Sequence, residues 1–474
     1  MTSDLAMLSA TRLLRLYRTR HLSPVEATEA ALRRIARWNP PLNAYCHVDP
    51  DAALAAARES EARWLAGRPL GVLDGVPTSI KDQWLARGWP TRKGSHTIRD
   101  DGPWLEDSPA TQRLREQGAI LLGKTNLPEF GWKGVTDSPR FGISRNPWDP
   151  SRTCGGSSGG AAIAAASGMG ALHLGSDGAG SIRMPAAFCG VFGLKPTFAR
   201  VPAYPYGLLP MCSHTGPMTR TVEDAALMLT VMAAPDHRDW LAPPPDGRDY
   251  RTGLEAGIRG VRIAYSRTLG YARVDAEVVE RVDRAVAVLA EQGAEVEEVD
   301  PGFSDPREPF EMYYATSMAT TLKRLGADAP AVMDPGYLRL AGQGRRYSGI
   351  DLIEGWAVRE ALGRHMNAFH QRFDLLVTPQ LPLAAFAAGA EFPPDRGMSS
   401  WFDWSPFTYP FNWTGQPAAS VPCGLTAAGL PVAMQIVGPR FGDMLVLQAS
   451  RAYEAASPFA MPDLARTVAQ PARG

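Results

Sequence analysis

An α/β fold, with helices on both faces of a sheet, is what this chain of 474 residues predicts. Helical patterns alternate with short apolar runs along its length. Two of those runs, Ala119-Ile120-Leu121-Leu122 and Leu375-Leu376-Val377 before Thr378-Pro379, lack polar alternation, as strands covered on both faces do. No internal repeat or low-complexity tract interrupts the pattern, and with 45% hydrophobic residues the chain has the material for a large core.

The first 40 residues read as helical. Ser23-Pro24-Val25-Glu26 has the form of a capping box with proline at the first helical position. Ala27, Ala30, Ala31 and Ile35 follow at helical spacing, and Asn39-Pro40-Pro41 is expected to end the helix. Residues 50–67 predict an alanine-rich helix closing near Gly67. Leu73–Pro77 is a turn into a strand at Thr78–Lys81, and residues 108–117 predict a helix before the strand at Ala119–Leu122. Gly160–Leu174 is apolar, short and rich in alanine and glycine, which reads as one buried helix with His173 packed inside it. Residues 235–260 turn polar and proline-rich, a surface connection. A strand at Val261–Tyr265, an amphipathic helix over 275–292 and a strand over 294–299 follow, whereas 305–350 reads as irregular and helical by turns. The segments flanking 235–260 do not look independent, so a single domain over 1–474 is expected.

Lysine plus arginine and aspartate plus glutamate number 49 each, so nothing points to nucleic acid or an anionic membrane as a partner. Arg33, Arg34 and Arg37 read as a solvated helix face. The five cysteines are scattered without metal-ligand spacing, which argues against a zinc site or disulfide frame and fits a reducing cytoplasm. The N-terminal residues lack a signal-peptide apolar core, and no apolar run of about 18 residues predicts a membrane span. No cofactor and no metal are expected.

The chemistry-bearing residues are two glycine-hemmed serine sites and a lysine. Ser157 and Ser158 stand between Gly155-Gly156 and Gly159-Gly160, and Ser181 follows Asp177-Gly178-Ala179-Gly180. Lys81 sits in an apolar context after Val76, Pro77 and Ile80. Each has a plain alternative: a flexible loop or helix cap, a turn between packed elements, a lysine with its head in water. A phosphate loop is disfavoured because no Gly-Lys-Ser/Thr closes the glycine run. The functional reading is a serine nucleophile, small residues that let backbone N–H groups face an oxyanion, and a buried lysine whose neutral amine acts as a base. None of the eight histidines has a nucleophile-elbow context; His214, beside Ser213-Thr215-Gly216-Pro217, is the one placed near the site.

Together these segments resemble the amidase signature family over nearly the whole chain. The matching stretches are Gly71–Asp82, Gly123–Phe130, Arg145–Trp148, Gly155–Pro196, Gly216–Asp224 and Asn412–Gly438, with a signature core over about 70–225. The resemblance implies a mixed, twisted central sheet and an amidase with a Ser-cisSer-Lys triad. In it Ser181 is the nucleophile, Ser157 the bridging serine on a cis peptide bond, and Lys81 the base. It further implies an oxyanion hole from the N–H groups of Gly178, Ala179, Gly180 and Ser181, with Ser158, Asp177 and Arg183 bracing the site. The family usually carries Thr-Gly-Gly before the nucleophile. Here Gly178 loses a hydroxyl brace, and the Ala179 methyl is expected to narrow the acyl site.

Seven aromatics crowd residues 401–413, and from Phe407 they alternate as in an extended segment, though Pro406 and Pro410 argue against a central strand. The segment reads either as core cover or as an apolar pocket wall carrying Trp401, Trp404, Phe407 and Phe411. The second reading predicts aryl or long-chain amides, anilides, esters or carbamates as small-molecule substrates. The alternative is a protein like the glutamine-hydrolysing subunit of an amidotransferase, supplying ammonia to partner chains. A homodimer would be unsurprising.

Overall fold

The computed structural model describes residues 4–207 and 209–468. Its strands are β1 (Tyr45–Val48), β2 (Pro77–Lys81), β3 (Ile120–Thr125), β4 (Asp137–Ser138), β5 (Gly142–Ile143), β6 (Leu172–Asp177), β7 (Phe192–Lys195), β8 (His214–Thr219), β9 (Arg262–Tyr265), β10 (Glu295–Glu298), β11 (Leu375–Pro379), β12 (Ala418–Leu425) and β13 (Pro431–Val437). Eleven of them form one sheet in the order β1-β3-β2-β6-β8-β7-β12-β13-β11-β9-β10; β4 and β5 pair separately. The sheet is mixed: β2 runs parallel to β3 and β6, and β9 to β10 and β11, while the other pairs are antiparallel.

Side chains alternate across this sheet into separate cores. Leu121 packs into one core, whereas Ile120 and Leu122 pack into another. Leu375 and Val377 face one side and Leu376 the other. Hence these runs are apolar throughout. Helices Val222–Met232, Ala276–Glu291 and Asp443–Ala456 cover one face; helices Pro24–Leu42, Gly159–Ala166 and Arg307–Leu325 contribute to the cores opposite.

Four expected elements differ. The helix capped by Ser23 runs through Pro40 and Pro41 to Leu42. Both prolines fall in its last turn, so the two backbone hydrogen bonds they forgo lie at the helix end and not in its middle, and Asn43 closes it at φ 55. The apolar run Gly160–Leu174 is not one helix: Gly159–Ala166 is helical, Gly168 and Gly170 turn the chain at positive φ, and β6 begins at Leu172. His173 therefore lies in a strand, fully buried, with Nδ1 2.8 Å from Ser79 Oγ, and burial lowers its pKa to about 3. Residues 305–350 are largely regular, with helices at Arg307–Leu325 and Pro335–Gly344 and the start of another at Gly349–Arg372. Phe310, Tyr314 and Met318 face the core while Met312 meets Gly355 on the third helix, so contact on more than one side blurs the apolar period. Finally, 401–413 is not extended: it forms a 3₁₀ turn, Trp401–Trp404, and a short helix, Tyr409–Trp413.

The 235–260 connection is irregular, anchored by buried Tyr250, Leu254 and Ile258. Among the described residues no helix is long and apolar enough to cross a membrane, and no cluster of three or more His, Cys, Asp or Glu is poised to hold a metal.

Candidate active site

Lys81 ends β2, and Ser176 and Asp177 end β6, its parallel neighbour, so the sheet brings these residues together at the carboxyl ends of two adjacent strands. The segment Gly155–Gly160 crosses above them and opens helix Gly159–Ala166. The glycines are needed for close approach: a Cβ at Gly160 would lie 2.3 Å from the Ala44 carbonyl oxygen. The Gly156–Ser157 peptide bond is cis.

Lys81 is fully buried, and its Nζ contacts three hydroxyls, Ser157 Oγ at 2.8 Å, Ser158 Oγ at 2.8 Å and Ser176 Oγ at 2.9 Å. Among the described residues no carboxylate lies within ion-pair distance of it. Burial drives its pKa well below the ordinary lysine value, and the Asp177 charge offsets this only partly. The surrounding hydrogen bonds fix the amine's orientation further. Ser158 Oγ donates to the Ser176 carbonyl at 3.0 Å and accepts from the Ser176 N–H at 3.2 Å, so toward Lys81 it is an acceptor. In its neutral form the amine has two N–H bonds and one lone pair, and with one N–H given to Ser158 the lone pair would face Ser157 or Ser176. Both of those serines line the cleft.

Ser181 is also at the cleft, 8% exposed, and its Oγ has no hydrogen-bond partner among the described residues. Ser157 and Ser181 are thus in one cavity without a direct bond between their hydroxyls. Around Ser181 the loop is rigidly built. Asp177 accepts from the N–H groups of Gly180 at 2.6 Å and Ile182 at 3.2 Å and pairs with Arg183 Nε at 2.9 Å. Arg183, fully buried, also donates to Thr408 O, Gln435 Oε1 and Asn412 Oδ1. Burial alone would raise the Asp177 pKa, but the Arg183 guanidinium holds it well below the usual carboxylate range. Thr408 Oγ1 donates to the Ala179 carbonyl at 2.7 Å and packs where a Cβ on Gly180 (φ +119) would stand.

Two expectations about this loop need correction. Gly180 N–H is already engaged by Asp177, so it is not a free oxyanion donor; the N–H groups of Gly178, Ala179 and Ser181 have no acceptor among the described residues. The Ala179 methyl enters the buried core rather than the cleft, while Gly178 lines the cleft. Nor do Trp401, Trp404, Phe407 and Phe411 line the cleft. They are buried behind it: Trp401 meets Tyr314 edge-on at 5.5 Å, and Trp404 stacks on Phe188. His214 sits behind Asp177, its Nδ1 2.7 Å from Cys212 O and 3.1 Å from Asp177 O, and burial lowers its pKa.

The cleft is narrow, and its apolar lining is Phe130, Leu209 and Tyr314, with Gln83 and Ser213 as polar groups. These residues, together with Ser176, Thr408 and Gln435, escaped sequence reasoning. Phe130, Ser176 and Gln435 lay inside matched stretches, but nothing in their spacing marks a function. Only the fold brings Leu209 and Tyr314 to Ser181.

A family model described as Amidase matches residues 26–447. The chain belongs to the amidase signature family. It is 36% identical to an acylamidase of Rhodococcus erythropolis, covering 96% of this chain and 97% of that one. It is 35% identical to the A subunit of the glutamyl-tRNA(Gln) amidotransferase of Gloeobacter violaceus, over 92% and 94% of the two chains. Among solved structures, a bacterial aryl acylamidase of the amidase signature family superposes with a TM-score of 0.89 at 32% identity, covering 95% of this amidase and 96% of the other chain. The family includes amide-hydrolysing enzymes, and this amidase carries the mixed sheet expected of it.

Proposed function

We propose that this amidase hydrolyses aryl acylamides through an acyl-enzyme on Ser181, with Lys81 and Ser157 as the proton relay. The observation that carries this reading is the buried Lys81 amine, without a carboxylate partner and 2.8 Å from Ser157 Oγ. Its lone pair takes the Ser157 proton as Ser157 takes that of Ser181, and Ser181 Oγ attacks the carbonyl carbon. The N–H groups of Gly178, Ala179 and Ser181 hold the oxyanion. Collapse breaks the C–N bond as the relay returns the proton, through Ser157, to the departing nitrogen. Water then enters by the same relay and releases the acid.

The aryl preference is supported by the Phe130 and Tyr314 side chains at the cleft and by similarity to an acylamidase and an aryl acylamidase. Aryl esters and carbamates present the same carbonyl and belong to the same reading. The second reading, an amidotransferase component producing ammonia from glutamine, is favoured by the 35% identity to the Gloeobacter violaceus amidotransferase chain. Hydrolysis of p-nitroanilides, aryl carbamates and glutamine by wild type and Ser181→Ala separates the two. Cleavage of an anilide that Ser181→Ala abolishes supports the acylamidase reading; release of ammonia from glutamine alone supports the other.

A further inference from the structure

The relay orients a substrate in the cleft. In the relay, the departing nitrogen receives its proton from Ser157, so the amine side of the substrate must lie toward Ser157. A Cβ on Gly131 would stand 3.1 Å from Ser157 Oγ and 3.6 Å from Gln83 Oε1, so Gly131, Phe130 and Gln83 surround that end. With Ser181 Oγ and the oxyanion taking two further directions at the tetrahedral carbon, the acyl substituent takes the fourth, which we assign to the space over Gly178 at the start of the nucleophile loop. What stands there is Leu209. A Cβ on Gly178 would lie 2.8 Å from Leu209 Cδ1, and apart from its chain neighbours no other described residue comes within 4 Å of that position. Leu209 is 5% exposed and belongs to the same apolar cluster as Phe130, Tyr314 and Ala179, so it is packed in place. With no side chain at 178 to hold it off, it comes down over the loop.

We propose that Leu209, seated on the bare Gly178, is the end wall of the acyl subsite and restricts this amidase to short acyl groups. The inference rests on the relay described above and deepens it by naming which half of the substrate is measured for size. Aromatic bulk is accepted on the amine side, where Phe130 offers a flat face; length is refused on the acyl side. Fatty amides are accordingly excluded.

The test is the acyl-length profile of wild type, Leu209→Ala and Leu209→Phe, read as kcat/KM on p-nitroanilides of acetic, butanoic and hexanoic acid. Active sites are titrated with a fluorophosphonate. A methylene refused by a pocket is worth about tenfold or more. Wild type should lose at least about tenfold from acetyl to hexanoyl, Leu209→Ala should recover about tenfold of that ratio, and Leu209→Phe should steepen it. Parallel profiles in all three enzymes would overturn the proposal. The same comparison is made on Ser181 labelling rates with methyl- and hexyl-fluorophosphonates, which need no amide substrate. If no anilide is cleaved but labelling shows the Leu209-dependent length limit, the aryl amide reading falls and the subsite stands. A labelling rate indifferent to chain length in wild type and Leu209→Ala alike overturns the subsite.

Discussion

Lys81 Nζ lies 2.8 Å from Ser157 Oγ in a site where burial, not a neighbouring charge, sets the state of the amine. The nearest charge with influence, Asp177, is bound to Arg183 and only partly offsets the desolvation. Burial is what would let a lysine so placed serve as the base of the proposed relay.

The first prediction concerns that base. Lys81→Ala should lower kcat by about 10²–10⁴-fold, the usual contribution of positioned proton transfer. Ser181→Ala should remove fluorophosphonate labelling altogether. Circular dichroism of both variants should match wild type. A Lys81→Ala enzyme with kcat within a few-fold of wild type would disprove the relay.

Next comes pH. The folded Lys81 pKa is depressed, and the proposed relay uses its neutral form. Activity should therefore be full above the folded pKa and fall tenfold per pH unit below it. Asp177 cannot cause such a limb near neutrality, because Arg183 keeps it ionised well into acid. His214 and Lys195, both depressed by burial, are the other titrating groups near the loop, and His214→Asn and Lys195→Met should each leave the limb in place. A profile of kcat/KM with no acid limb anywhere in the range where the protein stays folded counts against the lysine.

Arg183→Met should be costly for folding. It leaves the buried Asp177 carboxylate without its guanidinium and strips donors from Gln435 and Asn412. Breaking a buried pair in this way costs about 3–5 kcal/mol. Urea denaturation reads the loss directly, and a change below about 1 kcal/mol would refute the bracing role.

The aromatic cluster separates stability from binding. Trp404 is fully buried and stacks on Phe188 without reaching the cleft. Trp404→Ala should cost about 3–5 kcal/mol of stability. KM for a short-chain anilide should stay within about threefold of wild type. A KM rise of tenfold with unchanged stability would return Trp404 to the pocket wall.

Thr408→Val tests the nucleophile loop. It removes the 2.7 Å bond to the Ala179 carbonyl while keeping the shape that fills the space beside Gly180. One neutral hydrogen bond is worth about 1 kcal/mol. The expected result is a several-fold drop in kcat with KM nearly constant, as the proposed role of the loop in orienting oxyanion donors requires. An unchanged kcat would show that the loop is held without Thr408.

Local chemistry and local order were legible in the residues alone. Proline at the first helical position after Ser23 and glycines around Ser157 each constrain the backbone through their own covalent structure, so they can be read without a partner. The resemblance carried by Lys81, Ser157 and Ser181 likewise survives as a string of residues. Whatever depends on which face a side chain meets was settled only by packing. An apolar run looks alike as a helix or as a doubly covered strand, which is why the pattern around His173 reads as helix where the chain forms β6. The aromatics of 401–413 announce burial but not what they are buried against. Gly178 announces only the absence of a side chain, and it took the fold, bringing residue 209 across to that loop, to show that Leu209 fills the space.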